Sequence, residues 1–356
     1  MAVLNEEQDM LRDMAREWTT NENPVTEWRK VRASGDPKAY DEGVYATMAE
    51  MGWTGIIIPE DHGGSDFGWL SAGLVIEELG KTLTASPLVA STIAASAIIL
   101  GGSEEQKAKW LPRLASGEIV GTLAVDEAAR HDPAQIGASV ADGKLTGTKR
   151  FVHEAHGANL FVVAAKDGLY LVEKGDGVTL TDRKLTDQRS HADIAFDGAA
   201  ADRLGEGGDD LLDKVLDRAR VLTACEMLGM AQHVFDTTLD YLKQRVQFNQ
   251  VLATFQALQH RMADLFADLA LMRSAVEGGL QALDAGFRPA QAATMAKAEA
   301  NRVLKLISNE GIQLHGGIGM TDEYDVGFYL KRARVLEASF GSTSFLKDRY
   351  ATLGGY

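Results

Sequence analysis

From residue 255 to residue 283, Phe255, Leu258, Met262, Leu265, Leu269, Met272, Val276, Leu280 and Leu283 recur in steps of three or four. That period is one face of a long α-helix. A seam of this length needs other helices to cover it, so the C-terminal part must fold as a helical bundle. Gly278-Gly279 inside the seam weakens the helix intrinsically, which predicts a close helix approach there.

Two other zones precede this block. Up to about residue 118 the pattern is also helical. Met10, Leu11, Met14 and Trp18 in "EEQDMLRDMAREWTT" predict an amphipathic face, and "LSAGLVIEELGKTL" reads as a buried helix. Ser103 with Gln106 three residues on is a capping-box pair, and Pro112 is expected to end or kink the helix it opens. From 119 to about 205 the runs are short and β-rich, with Asp142-Gly143 and Asp167-Gly168 as hairpin turns. The fold class is therefore α+β, with a helical N-domain over 1–118, a small, mostly antiparallel middle β-domain over 119–205, and a C-terminal four-helix-like bundle over 206–356.

Composition excludes several functions. The net charge of -15 opposes nucleic-acid binding and anionic membrane surfaces, both of which need clustered Lys and Arg. The single cysteine, Cys225, excludes an intrachain disulfide framework and a thiolate metal cluster, and its apolar neighbours make it a small buried residue; no metal site is expected. No run approaches the roughly 20 apolar residues of a bilayer span, and "MAVLNEEQDM" lacks a signal-type apolar core, so a cytoplasmic location is expected.

Four stretches, in order along the chain, resemble the acyl-CoA dehydrogenase family: "MGWTGIIIPEDHGGSD", "GSEEQKAKWLPRLASGE", "RVQFNQ" running into "FQALQHRMADL", and "QLHGGIGMTDEYDVGFYLKRA". The resemblance covers nearly the whole chain and implies FAD as cofactor, an acyl-CoA substrate and electron-transfer flavoprotein as acceptor. In such enzymes a Glu removes the α-proton of a thioester while the β-hydrogen leaves as hydride to the flavin. The α-proton is weakly acidic, so the carbonyl must be polarised and the base aimed at one C–H.

The family's FAD bridges two subunits, and the resemblance assigns this chain the nucleotide half. Arg245 stands where an arginine meets the diphosphate, which suits a guanidinium with fixed donors. Gln247, Phe248 and Gln256 follow at family spacing, and Gln313 with Gly316-Gly317 matches a second cradle where backbone N–H groups approach phosphate oxygens. Each feature alone is an ordinary helix end or turn; their joint spacing carries the assignment. Asn249 replaces the usual Gly, and Asn tolerates a left-handed turn. Asp217 and Arg220 match positions that hold the CoA portion.

The flavin half departs from the family. Asp126 replaces a flavin-donating Thr, a carboxylate that accepts only when ionised. Phe151 keeps an aromatic ring and His153 replaces a hydroxyl residue. The two family positions for the catalytic Glu fall on Phe340 and Ala219, neither of which can accept a proton. Glu337 is the nearest carboxylate, three residues early, about 4.5 Å along a helix axis.

The expected function is thus a subunit of a heteromeric α2β2 acyl-CoA dehydrogenase acting on bulky thioesters such as steroid side-chain CoA esters. A homologous catalytic subunit would supply the Glu and share the FAD. Two alternatives stay open: a self-sufficient homomeric dehydrogenase with Glu337 as a relocated base, and a non-enzymatic assembly paralogue.

Overall fold

The computed structural model describes residues 3–205 and 208–356, so the expected boundary at 206 lies outside the described residues. The chain forms helices α1 (Glu6–Asn21), α2 (Val25–Ser34), α3 (Glu42–Glu50), α4 (Gly68–Lys81), α5 (Leu88–Gly101) and α6 (Glu104–Ala115). Strands β1 (Gly121–Ala124), β2 (Ser139–Ala141), β3 (Lys144–His153), β4 (Leu160–Ala165), β5 (Gly168–Glu173), β6 (Val178–Asp182), β7 (His191–Ala200) and β8 (Asp202–Leu204) follow. Then come α7 (Leu211–Gln244), the hairpin β9 (Val246–Gln247) and β10 (Gln250–Val251), α8 (Gln256–Ala285), α9 (Pro289–His315), α10 (Val326–Ala338) and α11 (Thr343–Leu353). A helical N-terminal part, a β middle and a helical C-terminal part are present in the expected order.

Contacts gather the chain into two units that interleave these zones: residues 29–72 with 85–219, and residues 1–28 with 73–84 and 220–356. The first unit holds two four-stranded sheets, ordered β1-β4-β5-β8 and β2-β3-β7-β6. All pairings are antiparallel except β1 with β4. Asp142 and Gly143 form the β2–β3 turn in left-handed conformation, φ 49° and 69°, as their residue types predict. The β4–β5 loop is Lys166-Asp167, one residue earlier than expected, because Gly168 already pairs with Ala165. Ser103 and Gln106 make both bonds of the capping box. Pro112 does not end α6, which continues to Ala115. Buried Leu111 and Leu114 hold the last turn, while Pro112 and Ala108, whose carbonyl loses its helix donor, face water.

In the second unit α8 buries its seam from Met262 to Leu283. Phe255 and Leu258 are only half-buried, since the helix starts at Gln256. Of the glycine pair, Gly279 alone makes the close approach: a Cβ there would lie 3.2 Å from Val221 of α7 and from Ala296 of α9, whereas one at Gly278 meets open space. A tighter crossing joins α4 to α7. A Cβ on Gly229 would sit 1.9 Å from the Glu77 carbonyl oxygen, and one on Gly80 would sit 2.3 Å from that of Glu226. Only glycine lets these backbones touch. The α1 face differs from its expectation: Met10 and Met14 are exposed, and the buried positions are Ala15 and Thr19. The small Ala15 turns inward where Arg16 reaches the buried Glu78 of α4 at 3.4 Å.

Candidate functional site

Helix α7 ends at Gln244, and the Arg245 N–H still donates to the Tyr241 carbonyl at 2.9 Å. The chain then reverses in the β9–β10 hairpin, whose central residues Phe248 and Asn249 have φ 51° and 61°. Two successive left-handed residues make the turn type that suits a two-residue hairpin. The asparagine that stands in for glycine therefore adopts the geometry the turn demands. Arg245, Gln247 and Phe248 are all exposed, with Phe248 held edge-on against Phe255 at 6.2 Å. Gln256 opens α8 next to this ring. Among the described residues the Arg245 guanidinium meets no carboxylate.

The second group sits where α9 ends. His315 is its last residue, and Gly316 takes φ 67° and ψ −138°, a conformation open to glycine alone. A Cβ at Gly316 or Gly317 would meet open space, and Gln313 is exposed one turn earlier. The Tyr241 hydroxyl donates to the His315 carbonyl at 3.3 Å. That bond ties the end of α7, from which Arg245 projects, to the end of α9, from which the Gly316-Gly317 turn begins. A guanidinium that meets no carboxylate, and a glycine turn with open space over it, each suit an anionic diphosphate. Arg245, Gln313 and the main chain of Gly316-Gly317 would hold it, with Gln247, Phe248 and Gln256 alongside.

The turn between α10 and α11 holds Phe340, half-buried, with φ 56°. Buried side chains from two helices grip its carbonyls. Arg220 Nε donates to the Phe340 oxygen at 3.1 Å, and Asn301 Nδ2 to the Gly341 oxygen at 3.2 Å. Lys297 Nζ donates to Leu336 O at 2.8 Å and to Asn301 Oδ1 at 2.6 Å. Burial, with the Arg220 charge nearby, pushes the Lys297 amine down to about 7, against a smaller opposing effect of Glu337. The position is thus rigidly built, and its side chain accepts no proton.

Glu337 lies 3.1 Å from Lys305 and 3.4 Å from Arg334, a carboxylate tied into ion pairs at the helix surface. Ala219 is fully enclosed on α7. Asp217 is also buried, and Arg220 is enclosed with its Nε committed to Phe340. Cys225 is buried, and burial pushes its thiol well above the ordinary value, so it is no nucleophile.

In the β unit, the carboxylate of Asp126 contacts His131 Nδ1 at 2.9 and 3.1 Å. Its main-chain oxygen accepts from the Arg150 N–H at 2.7 Å. Next to it, Glu127 accepts from the Gly137 and Ala138 N–H groups and from Lys149 at 2.6 Å. Burial would raise the Glu127 carboxyl, but the Lys149 and backbone bonds outweigh it and hold it below its usual range. β3 bulges after Lys149, where Phe151 has φ 53° and its N–H meets Asp193 at 3.1 Å. His153 stacks edge-on against His191 at 4.6 Å. The segment expected to bed a flavin spends its carboxylates on its own loop.

Sequence reading missed His131, Lys149, Lys297, Asn301 and His315. One signal was available: Lys297 and Asn301 stand four apart in the alanine-rich stripe "AATMAKAEAN", where cations face inward only with partners.

Among the described residues, no helix is long and apolar enough to cross a membrane. Residues 5–118 match the family model of the acyl-CoA dehydrogenase N-terminal domain, and residues 206–352 that of the acyl-CoA dehydrogenase C-terminal domain. The acyl-CoA dehydrogenase IpdE2 of Mycobacterium tuberculosis is 31% identical over 92% of this chain and 91% of its own. The acryloyl-CoA reductase (NADH) of Anaerotignum propionicum is 30% identical over 97% and 93%. Among solved structures, a variant of the Tcur3481-Tcur3483 steroid ACAD superposes with a TM-score of 0.92 at 30% identity, covering 98% of each chain. Homologues in this group bind FAD. The chain belongs to the acyl-CoA dehydrogenase family.

Proposed function

We propose that this chain is the non-catalytic subunit of a heteromeric α2β2 acyl-CoA dehydrogenase. It grips the ADP half of a shared FAD, while a homologous subunit supplies the base and the flavin bed. One observation carries the reading: the α10–α11 turn keeps a full set of buried supports, yet presents Phe340 where a carboxylate is needed. Ala219, at the other base position, is equally inert.

Bound FAD would supply a hydride acceptor for the β-hydrogen of the thioester. Arg245 would offset diphosphate charge, and the Gly316-Gly317 main chain would let phosphate oxygens come close. Asp126 and Glu127, turned to His131 and Lys149, offer no hydroxyl donor to a flavin. The relocated-base alternative is weakened by the ion pairs of Glu337 with Lys305 and Arg334, which occupy its carboxylate. The paired name of the Tcur3481-Tcur3483 steroid ACAD supports a two-component assembly and a bulky CoA thioester as substrate. Electron-transfer flavoprotein is the proposed acceptor.

The test is co-expression with a homologue that carries the missing Glu. Flavin should appear at one FAD per two subunits, and turnover of short and steroid-like CoA esters should need both chains. A full complement of FAD and turnover by this chain alone would overturn the proposal.

A further inference from the structure

His315 closes α9, and its imidazole is almost completely enclosed. Nδ1 lies 2.7 Å from the Gly311 carbonyl, which can only accept, so Nδ1 carries the proton. Nε2 is then the acceptor of a neutral ring, and it is buried with no hydrogen-bond partner. Such an atom is unfavourable in a packed interior, so the nitrogen itself does not explain the residue. The shape of the ring does. The imidazole packs against Tyr241 at 4.4 Å and Tyr324 at 4.7 Å, and those two rings meet each other at 6.2 Å, so the three close into one cluster.

Two members of this cluster are close in sequence to the nucleotide cradle. Tyr241 lies in the last turn of α7, and its carbonyl takes the Arg245 N–H. His315 itself is bonded directly to Gly316. The Tyr241 hydroxyl also reaches the His315 carbonyl, which fixes the tyrosine against the helix end. The ring cluster therefore joins the helix end that carries Arg245 to the helix end that carries the glycine turn, two groups that approach the same diphosphate under the reading above.

We propose that His315 is a positioning residue for the nucleotide: packed in one cluster with Tyr241 and Tyr324, its ring sets the separation of Arg245 from the Gly316-Gly317 turn. This rests on the cradle assignment. A flat ring is what the slot requires, so phenylalanine can replace histidine there, and a small or flexible side chain cannot.

The test is calorimetric titration of the full-length chain with ADP, with melting temperature and far-UV circular dichroism recorded on every variant. His315→Ala should keep the fold and weaken ADP roughly tenfold, the scale of one lost charged contact. His315→Phe should bind within about threefold of wild type. His315→Leu, which fills the slot without a flat ring, covers the case in which the alanine variant unfolds, and it too should weaken binding. Arg245→Ala is the control for the cradle. If Arg245→Ala weakens ADP while folded His315→Ala or His315→Leu binds as wild type, the positioning role falls and the cradle stands. If Arg245→Ala leaves binding unchanged, or the wild-type chain takes no ADP, both fall together.

Discussion

Arg220 Nε donates to the main-chain oxygen of Phe340 at 3.1 Å, joining residues 120 apart in sequence. Arg220 is fully enclosed and lies over the Phe345 ring, its Cζ 5.8 Å from the centroid. Replacing it with methionine keeps most of the volume but leaves a carbonyl of the turn without its donor. Arg220→Met should destabilise the protein by about 2–4 kcal/mol, read as a fall in the chemical-denaturation midpoint. An unchanged midpoint would mean the turn holds itself.

Lys297 makes the stability of the same region depend on pH. Its folded value lies near 7 and its ordinary value is 10.5. Below about pH 7 the folded and unfolded lysine are both charged, and the burial penalty is felt in full. Between about 7 and 10.5 the folded chain has released a proton that the unfolded chain still holds. Stability contributed at this site therefore rises with pH through that window, by up to about 1.4 kcal/mol per unit. The neutral amine keeps two N–H donors, enough for Leu336 and Asn301. Lys297→Met lacks the slope, so its stability relative to wild type should decline as pH is raised from about 7 to 9.5. Parallel melting curves for the two proteins would contradict this.

The Arg245 side chain is exposed and meets no carboxylate among the described residues, and its backbone bonds do not depend on it. Arg245→Ala should leave the melting temperature of the apoprotein within about 1 °C of wild type, since surface changes of this kind alter stability little. Flavin retained by the co-expressed complex should nevertheless fall about tenfold at fixed salt. Equal flavin content in the two complexes would remove Arg245 from the cradle.

Glu337 tests the proposal that this chain carries no base. With its carboxylate paired to Lys305 and Arg334, Glu337→Gln should change turnover of the complex by less than about twofold, because partly exposed ion pairs contribute little. A loss of several orders of magnitude would instead make Glu337 the proton acceptor.

The α4–α7 crossing has the most stringent steric demand. Gly229→Ala would place a methyl 1.9 Å from the Glu77 oxygen, and both partners are backbone, so neither can swing aside. A loss of more than about 3 kcal/mol, or failure to accumulate as folded protein, is expected. Gly278→Ala on α8, facing open space, should be neutral or slightly stabilising by comparison.

Some features were legible in the chain and others were not, for reasons visible residue by residue. The seam from Met262 to Leu283 is buried where its period placed it, and Asn249 takes the left-handed geometry its side chain tolerates. On α1 the pattern held only in part: Leu11 and Trp18 are half-buried, Met10 and Met14 are exposed, and Ala15 and Thr19 are the buried positions. Pro112, expected to end or kink its helix, does not end it, since its lost bond falls on the wet side of the last turn.

Helix period, hairpin chemistry and capping pairs involve residues within one or two turns of each other, so the amino-acid order alone set the helical–β–helical plan. It also set the identity of the side chain at 340, a phenyl ring that accepts no proton. Which groups hold that position was decided only in three dimensions. Lys297, Asn301 and Arg220 reach the 336–341 carbonyls from helices far away in the chain, and the His315 ring meets Tyr241 across 74 residues. No local pattern encodes such contacts, because they exist only once helix packing has brought distant turns within hydrogen-bonding range.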